Sequence, residues 1–344
     1  MTTGPAALPR ELHVLVPFWG MAGGVIKILD YAHHASTAGV DVHLWAPALP
    51  APDAAVRSLP VFDVLDGANN VTIFRIDDLS LDDTTHPWVL FTEPAHHALI
   101  EHATRSSLGH QLIHLIQGTR HANPSWNGGL HYRLLHRPMS RITVTEQVAE
   151  SIRPHVNMRF AHHVILEGHD MAYFREGAPD RMPHGRPLRV LYTNWKSDLG
   201  GRVAELLSDN SSLTFDAINT ECTWDELRRR YHAADIFLCT PGPEEGFYLP
   251  GLEAMAAGCV VVSSFVGGNE AYMVEGVNCI RVPHDDADAH AAALLELAND
   301  RSRHRSLIAA GMETVANHTL ERERDEFIDL LCSLAQSSQH AEVT

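Results

Sequence analysis

The first 45 residues alternate between two hydrophobic patterns. A short apolar run at residues 12–17 (LHVLVP) ends in a glycine-containing turn at residues 18–24 (FWGMAGG). Apolar residues then recur at helical spacing from Val25 to Ala32, and a second apolar run follows at residues 40–45. The order strand, turn, helix, strand predicts a βαβ unit, in which the strands are parallel and the crossover is right-handed.

The rest of the first half repeats this pattern. Further predicted strands, most of them followed by stretches compatible with a helix, are Val71–Arg75, Trp88–Phe91, Leu112–Ile116 and Ile142–Thr145. We therefore predict a doubly wound, Rossmann-like α/β domain over residues 1–168. Lys27 falls on its first helix, where a lysine is most often a surface charge.

A second α/β series follows the loop Gly177–Pro187, which is rich in proline, glycine and charge. Its predicted strands are Leu188–Tyr192, Thr214–Ala217, Ile236–Cys239, Cys259–Ser263 and Cys279–Val282. Its predicted helices are Trp224–His232, Pro250–Ala257, Asn269–Val274 and Ala287–Asn299. We predict an interdomain linker at 169–187, a second Rossmann-like domain at 188–319, and an amphipathic helix and tail at 320–344. That helix can pack on either domain, including back on the N-terminal one.

The predicted fold class is therefore α/β, with two doubly wound domains and a cleft between them. Open parallel sheets bind ligands outside the carboxyl ends of their strands, so we expect the functional residues in the loops that follow the strands. A length of 344 residues agrees with two domains, because a single core rarely grows that large.

Composition and charge narrow the class of protein. The hydrophobic content of 45% is that of a globular chain, and no apolar run approaches the roughly 20 residues that span a bilayer. The first 12 residues lack the basic start and apolar core of a secretion signal, so we expect a cytoplasmic protein. A formal net charge of −17 argues against general binding to nucleic acid or to anionic membranes.

Neither the cysteines nor the histidines predict a metal site. The five cysteines form no CxxC pair, and three of them lie in or beside apolar runs, where thiols are usually buried and inert. Adjacent histidines point to different faces of a helix or strand, so paired histidines make poor two-ligand clamps. Such pairs occur at His33–His34, His96–His97 and His162–His163. Without a tight ligand set, we expect no protein-held metal and no cofactor.

The candidate chemistry lies after the strand Ile236–Cys239. Glu245 occupies the loop that follows this strand, Pro250 suits a first helical position, and Glu253 comes in or just past the first helical turn. Carboxylates accept hydrogen bonds from sugar or ribose hydroxyls, and a helix N-terminus suits a diphosphate. Two alternatives stay open: Glu253 complements the helix dipole, and Glu245 is a solvated loop charge.

Several segments resemble the GT-B glycosyltransferases, in particular the large retaining family often called GT4. The strongest resemblance lies in EEGFYLPGLEAMAAGCVVVSSFVGGNEAYMVEGVNCIRVP, with its Glu-x7-Glu spacing and the Gly-Gly-x-Glu turn at Gly267–Glu270. Residues 164–174 resemble the family's interdomain segment, Gly20–Gly24 its first loop, and residues 115–118 a strand end of some members. The resemblance covers most of the chain, strongly over 231–283 and weakly over 40–160.

The resemblance implies donor-binding roles. Glu245 would contact the donor sugar, Glu253 the ribose hydroxyls, and Gly23 and Gly24 the phosphates. Backbone groups of four residues would meet the diphosphate or the sugar: Gly246, Phe247, Tyr248 and Leu249. Tyr248 stands where glycine is common in the family, which suggests a differently shaped sugar pocket.

One loop departs from the family pattern. Two basic residues usually grip the leaving diphosphate there, but in direct register Trp195 replaces the arginine and Gly200 the lysine. Lys196 and Arg202 either do the same work from shifted positions or are solvated charges. We include both among the predicted catalytic residues, with Glu245.

The implied reaction moves a hexose-type sugar from a nucleoside-diphosphate-sugar to a hydroxyl, with retention of configuration and without a metal. The candidate contacts to the acceptor or the sugar lie at predicted strand ends: Thr92, Glu93, Gln117, Gly118 and His121. The chain has no obvious basic amphipathic helix for membrane docking, which favours a small soluble acceptor.

Other functions fit the same pattern. A GT-B relative can instead epimerise a nucleotide sugar or couple a non-sugar pseudo-donor. A non-catalytic scaffold that binds a nucleotide sugar is also compatible, because the loop with Trp195 departs from the family pattern.

Overall fold

The computed structural model describes residues 8–47, 52, 54–81, 87–93, 96–104, 111–157, 159–180 and 186–343. The chain folds into two separate units. Unit 1 comprises Met1–Glu167 together with Leu320–Thr344, and unit 2 comprises Gly168–Thr319. The chain therefore returns to unit 1 after completing unit 2.

Unit 1 contains a seven-stranded sheet in which every pairing is parallel. Its strands are β1 (Glu11–Leu15), β2 (Asp41–Ala46), β3 (Val71–Arg75), β4 (Trp88–Phe91), β5 (Leu112–Ile116), β6 (Ser140–Thr143) and β7 (His162–Val164). Their spatial order is β3-β2-β1-β4-β5-β6-β7. Every residue of β4, β5 and β6 is buried, as expected for the inner strands of a parallel sheet.

The helices of unit 1 include one that is almost entirely buried. The helices that precede unit 2 are α1 (Gly23–Thr37), α2 (Ala54–Arg57), α3 (Pro60–Gly67), α4 (His97–Ala103), α5 (Leu130–Leu135) and α6 (Glu146–Ile152). Helix α1 buries both its apolar residues and several polar ones, Lys27 and Asp30 among them. The strand order reverses between β1 and β4, so the loops after these two strands flank the topological switch point.

Unit 2 contains a five-stranded parallel sheet of order β12-β11-β10-β8-β9. Its strands are β8 (Leu188–Thr193), β9 (Leu213–Ile218), β10 (Ile236–Cys239), β11 (Val260–Ser264) and β12 (Ile280–Val282). Its helices are α7 (Met171–Arg175), α8 (Leu199–Leu206), α9 (Trp224–Ala233), α10 (Leu249–Ala256), α11 (Ala287–Asn299) and α12 (His304–Val315). The predicted α/β class with two doubly wound sheets is confirmed.

Two segments of unit 2 differ from their predicted secondary structure or role. The helix predicted at Asn269–Val274 is wrong, because the chain there forms only a short 3₁₀ turn at Gly267–Ala271. The turn ends at Tyr272, whose φ of −144° and ψ of −17° are not helical. The segment 169–187, expected as a linker, starts unit 2 and contains α7.

The last helix, α13 (Leu320–Val343), belongs to unit 1 and packs on α1 through buried charges. The Lys27 ammonium donates to Asp30 Oδ2 at 2.8 Å and to Glu323 Oε2 at 2.7 Å, and the same Glu323 oxygen lies 2.9 Å from His34 Nε2. The expectation of a surface charge at Lys27 is wrong, since Lys27 is fully buried. Burial alone would lower the pKa of Lys27, but the two carboxylates outweigh it and raise that pKa.

Candidate functional site

The loop between β10 and α10 positions the first predicted carboxylate of unit 2. Strand β10 ends at Cys239, and α10 starts at Leu249 with Pro250 in its first turn, where the fixed φ of proline is favourable. Glu245 lies in this loop with 15% of its side chain exposed. The neighbouring strand β8 ends at Thr193, so the loop after it reaches the same edge of the sheet.

Lys196, in the loop after β8, forms an ion pair with Glu245. Its Nζ also lies 5.3 Å from the centre of the Tyr248 ring. The predicted cation and the predicted carboxylate are therefore brought together at the switch point of unit 2, where the strand order reverses between β8 and β10. About 40% of the Lys196 side chain is exposed, so this ammonium is accessible to a ligand.

Two glycines explain the local shape of this edge. A Cβ at Gly268 would collide with the backbone of Glu245 and Gly246, so the glycine turn after β11 supports the Glu245 loop directly. A Cβ at Gly200 would lie 2.2 Å from the Tyr192 ring. No side chain fits at position 200 unless Tyr192 moves, which is a physical reason why the cation expected there is missing.

Arg202, on α8, pairs with acids other than Glu245. Its guanidinium pairs with Asp198, with Nε 3.2 Å from Oδ1, and with Asp285 in the loop before α11. Neither partner is a predicted site residue. The structure thus brings Lys196 to Glu245 but engages Arg202 with two other acids.

The side chains of the residues that join Glu245 to α10 point away from solvent. Phe247, Tyr248 and Leu249 are each at most 5% exposed. Phe247 packs against Tyr272, whose hydroxyl donates to the Tyr248 carbonyl at 2.6 Å. Contacts between a ligand and the backbone of Gly246 to Leu249 stay a prediction.

Glu253 is the fifth residue of α10, which has no acidic residue in its first turn, and it is 3% exposed. Its Oε1 lies 3.0 Å from His169 Nε2, and its Oε2 accepts a hydrogen bond of 2.8 Å from the Tyr231 hydroxyl. Burial and the neighbouring Glu253 raise the pKa of Tyr231, which keeps this hydroxyl a donor. The sequence did not predict either partner. His169 lies in the segment 164–174 and Tyr231 begins the segment 231–283, so the family resemblance was the available signal for both.

Unit 1 assembles its predicted residues at the ends of β1, β4 and β5. Gly23 and Gly24 form the first turn of α1, and Gln117 donates from Nε2 to the Gly24 carbonyl at 3.3 Å and to Thr92 Oγ1 at 2.9 Å. A Cβ at Gly24 would lie 3.4 Å from Gln117 Oε1. Gly118 follows in extended backbone and starts a 3₁₀ turn.

Glu93 and His121 lie beside this group. The Glu93 carboxylate pairs with Arg120 at 2.5 Å and with His131 Nε2 at 2.7 Å. Burial would raise the pKa of Glu93, but the hydrogen bond from His131 and the charge of Arg120 outweigh it and lower that pKa to about 2. His121 is fully buried, and neither ring nitrogen has a hydrogen-bond partner in the described part of the chain.

Among the described residues, two groups of potential metal ligands occur, and neither contains one of the adjacent histidine pairs considered in the sequence. Ligand atoms of Glu93, His121 and His131 all lie within 4.8 Å of one another, as do those of Glu11, His13 and His43. Each group includes one residue distant in sequence from the other two, His43 in one and Glu93 in the other, so spacing did not reveal either group. The Arg120 guanidinium on Glu93 disfavours a cation at the first group. The absence of a protein-held metal stays a prediction.

A profile of the family described as "Glycosyl transferases group 1" matches residues 200–300. The matched segment contains the Glu245 loop, α10 with Glu253, and the glycine turn after β11. Residues 200–300 thus resemble a group 1 glycosyltransferase domain. Lys196 and His169 lie before the matched residues, and Arg202 lies inside them.

Curated relatives share part of their length with this chain. D-inositol 3-phosphate glycosyltransferase of Corynebacterium urealyticum is 32% identical over 110 residues, which are 32% of this chain and 26% of the relative. The protein of the same name from Kribbella flavida is 36% identical over 83 residues, which are 24% of this chain and 19% of the relative. The similarity to these relatives is thus confined to a part of each chain.

Solved structures resemble most of this chain in fold. Sucrose-phosphate synthase from Thermosynechococcus elongatus has a TM-score of 0.69 at 16% identity, covering 95% of this chain and 100% of its own. Anabaena Alr3699/HepE, solved with UDP and glucose, has a TM-score of 0.69 at 13% identity, covering 94% and 100%. The predicted GT-B fold and the resemblance to this family are confirmed.

None of the helices in the described residues is both long and apolar enough to cross a membrane.

Proposed function

We propose that the protein is a glycosyltransferase that moves a hexose-type sugar from a nucleoside-diphosphate-sugar to a hydroxyl acceptor, with retention of configuration. The observation that carries this proposal is the Lys196–Glu245 pair at the switch point of unit 2, beside the N-terminus of α10. It puts a carboxylate for sugar hydroxyls and a cation for phosphate in one small volume.

The donor would be held by groups of different chemistry. Glu245 accepts hydrogen bonds from the sugar, and Glu253 accepts them from the ribose. The diphosphate binds against Lys196 near the N-terminus of α10, where the helix dipole favours an anion. The diphosphate competes with Glu245 for the Lys196 ammonium, and an ion pair that is partly exposed is exchanged at little cost.

The proposed transfer needs positioning more than a strong protein base. The bond between the sugar's anomeric carbon and the leaving phosphate oxygen breaks, and the acceptor oxygen bonds to the same face of that carbon. The acceptor proton passes to the leaving diphosphate, whose growing charge Lys196 stabilises. The reaction as proposed requires no protein-held metal and no cofactor.

The acceptor is the less defined partner, and we propose a small polar molecule. Its contacts would come from unit 1, where Glu93, Gln117 and Gly118 follow the ends of β4 and β5. Thr92 and His121 are fully buried, so a contact from them requires a local rearrangement. The relatives named D-inositol 3-phosphate glycosyltransferase support a phosphorylated polyol as the first acceptor to assay.

A hydrolysis and transfer assay tests this function. Purified protein is incubated with UDP-glucose and other nucleoside-diphosphate-sugars, with and without inositol phosphate, and the release of nucleoside diphosphate is followed. We expect turnover with at least one donor and a loss of about 100-fold in kcat for Glu245→Gln. The matched control is Glu244→Gln, the neighbouring acid in the same loop. Absence of binding and of hydrolysis for every donor would contradict the proposal.

A second candidate is a domain that binds a nucleotide sugar without transferring it. Two observations favour it. Gly200 packs against the Tyr192 ring where the family usually has a lysine, and Arg202 pairs with two acids. Binding of a nucleoside diphosphate without turnover, unaffected by Lys196→Ala and Arg202→Ala, would support this candidate over the transferase.

A further inference from the structure

The carboxylate of Glu253 is buried without a cationic partner of fixed charge. Among the described residues, no lysine or arginine pairs with it, and its two oxygens instead contact His169 Nε2 and the Tyr231 hydroxyl. A buried carboxylate is stable only when its oxygens accept hydrogen bonds. His169 and Tyr231 therefore fix both the position and the plane of this group.

Each oxygen of Glu253 keeps one lone-pair site that none of the described residues uses. A carboxylate oxygen has two lone-pair sites, and each oxygen of Glu253 accepts one hydrogen bond from the protein. The two remaining sites lie about as far apart as the two oxygens themselves. A pair of vicinal hydroxyls, such as those of ribose, matches two neighbouring acceptors of this kind.

His169 is itself tightly held. Its backbone N–H donates to the His318 carbonyl at 3.1 Å, and its ring stacks on Phe174 with the ring centres 5.8 Å apart. The following residue, Asp170, caps α7 by accepting from the Tyr173 N–H at 3.0 Å. These contacts hold the ring in place, and in the structure Nε2 faces Glu253.

The other ring nitrogen makes no competing contact. His169 Nδ1 is buried and has no hydrogen-bond partner in the residues that the structure describes. The imidazole thus makes its one polar contact through Nε2, which donates to the carboxylate because a carboxylate has no hydrogen to give. A side chain of the same shape without a donor would leave Glu253 one hydrogen bond short.

We propose that His169, together with Tyr231, is a positioning residue that aims the Glu253 carboxylate at the ribose hydroxyls of a nucleoside diphosphate. The inference rests on the proposed donor function and adds a residue outside the matched segment 200–300. Selectivity for a ribose over a deoxyribose would depend on His169, although His169 itself does not touch the ligand.

Binding of two nucleotides tests the inference. The dissociation constants of UDP and 2′-deoxy-UDP are measured by calorimetry, or those of the guanine or adenine pair if the wild-type protein prefers that base. A hydrogen bond to a charged group contributes enough for about a tenfold preference for the ribonucleotide. We expect His169→Phe to reduce this preference to below about threefold, and His169→Gln, which keeps an N–H donor, to restore most of it.

Two further variants separate positioning from folding. Tyr231→Phe removes the other hydrogen bond to Glu253 and should also reduce the preference, so the test stands if His169→Phe does not fold. His304→Phe is the matched control. This histidine is also buried, but its Nε2 contacts the Leu297 carbonyl at 3.0 Å rather than Glu253, and the preference should be unchanged.

The outcomes are distinct. If the wild-type protein binds no nucleoside diphosphate, the proposed function fails and this inference fails with it. If the wild-type protein binds but shows no preference for the ribonucleotide, or if His169→Phe and Tyr231→Phe both keep the preference, the inference alone is overturned.

Discussion

The two lysines of the chain each pair with a glutamate, but in opposite surroundings. Lys27, in unit 1, is fully buried and contacts Glu323, whereas Lys196, in unit 2, contacts Glu245 and keeps 40% of its side chain exposed. Breaking a buried pair leaves an uncompensated charge, while an exposed pair exchanges partners with water or ligand at little cost. The same chemistry therefore joins helices in one unit and stays available to a ligand in the other.

The largest effect is expected from Lys27→Met. The substitution leaves the buried carboxylates of Asp30 and Glu323 without their cation, which should lower the free energy of unfolding by about 3–5 kcal/mol. Urea unfolding monitored by fluorescence measures the loss. Lys196→Met is the matched control, because a surface substitution should change stability by no more than about 0.5 kcal/mol.

The double variant Lys27→Met/Glu323→Gln should be less destabilised than the sum of the two single variants, because it removes the pair rather than one partner. Equal stability losses for Lys27→Met and Lys196→Met would show that the buried and the exposed pair contribute equally to the free energy of unfolding.

The second effect concerns catalysis. Lys196→Met should lower kcat by about 100–1,000-fold, because it removes the cation proposed to stabilise the leaving diphosphate. The rate is measured at saturating donor, and the melting temperature is recorded for the same samples. Lys196→Arg keeps the charge and should retain more activity than Lys196→Met. Full activity in Lys196→Met would show that Lys196 does not stabilise the leaving diphosphate.

A third effect uses pH, through the carboxylate of Glu93. Its pKa of about 2 in the folded protein lies below the ordinary 4.5, so it stabilises the fold above that ordinary value, and the stabilisation is lost as pH falls toward 2. Between about pH 5 and pH 2, wild-type stability should fall by up to about 3 kcal/mol more than that of Glu93→Gln. Parallel stability curves for the two proteins would show that Arg120 and His131 do not act on Glu93 in this way.

The smallest effect is expected from Arg202→Ala. Because the guanidinium pairs with Asp198 and Asp285 on an exposed surface, its loss should change kcat/KM by less than about tenfold. The assay is the same as for Lys196→Met, and Arg229→Ala, another exposed helical arginine, is the control. A loss as large as that of Lys196→Met would mean that Arg202 turns to the diphosphate when donor binds.

Much of the fold follows from local patterns. Apolar runs such as Leu112–Ile116 lie in the middle of parallel sheets and are buried on both faces, so their sequences carry a strong signal. The position of Glu245 was also predictable, because a strand, a loop and a proline-initiated helix follow one another within about twenty residues of sequence. Such features need no knowledge of distant parts of the chain.

Contacts over long sequence distances were not predictable. Glu253 meets His169, 84 residues away, and Lys27 meets Glu323, 296 residues away. A lysine in an amphipathic helix is normally at the surface, and only the packing of a second helix turns that position into the interior. The sequence identified the two candidate glutamates, but it did not identify the residues that surround them.

The route of the chain through its two units affects the order in which they form during synthesis. All 152 residues of unit 2 are consecutive, from Gly168 to Thr319, whereas unit 1 is interrupted and ends with α13. On the ribosome Lys27 therefore precedes its partner Glu323 by 296 residues, with the whole of unit 2 translated in between. Unit 2 has all of its sequence, and can complete its sheet, before the nascent first unit receives its last helix.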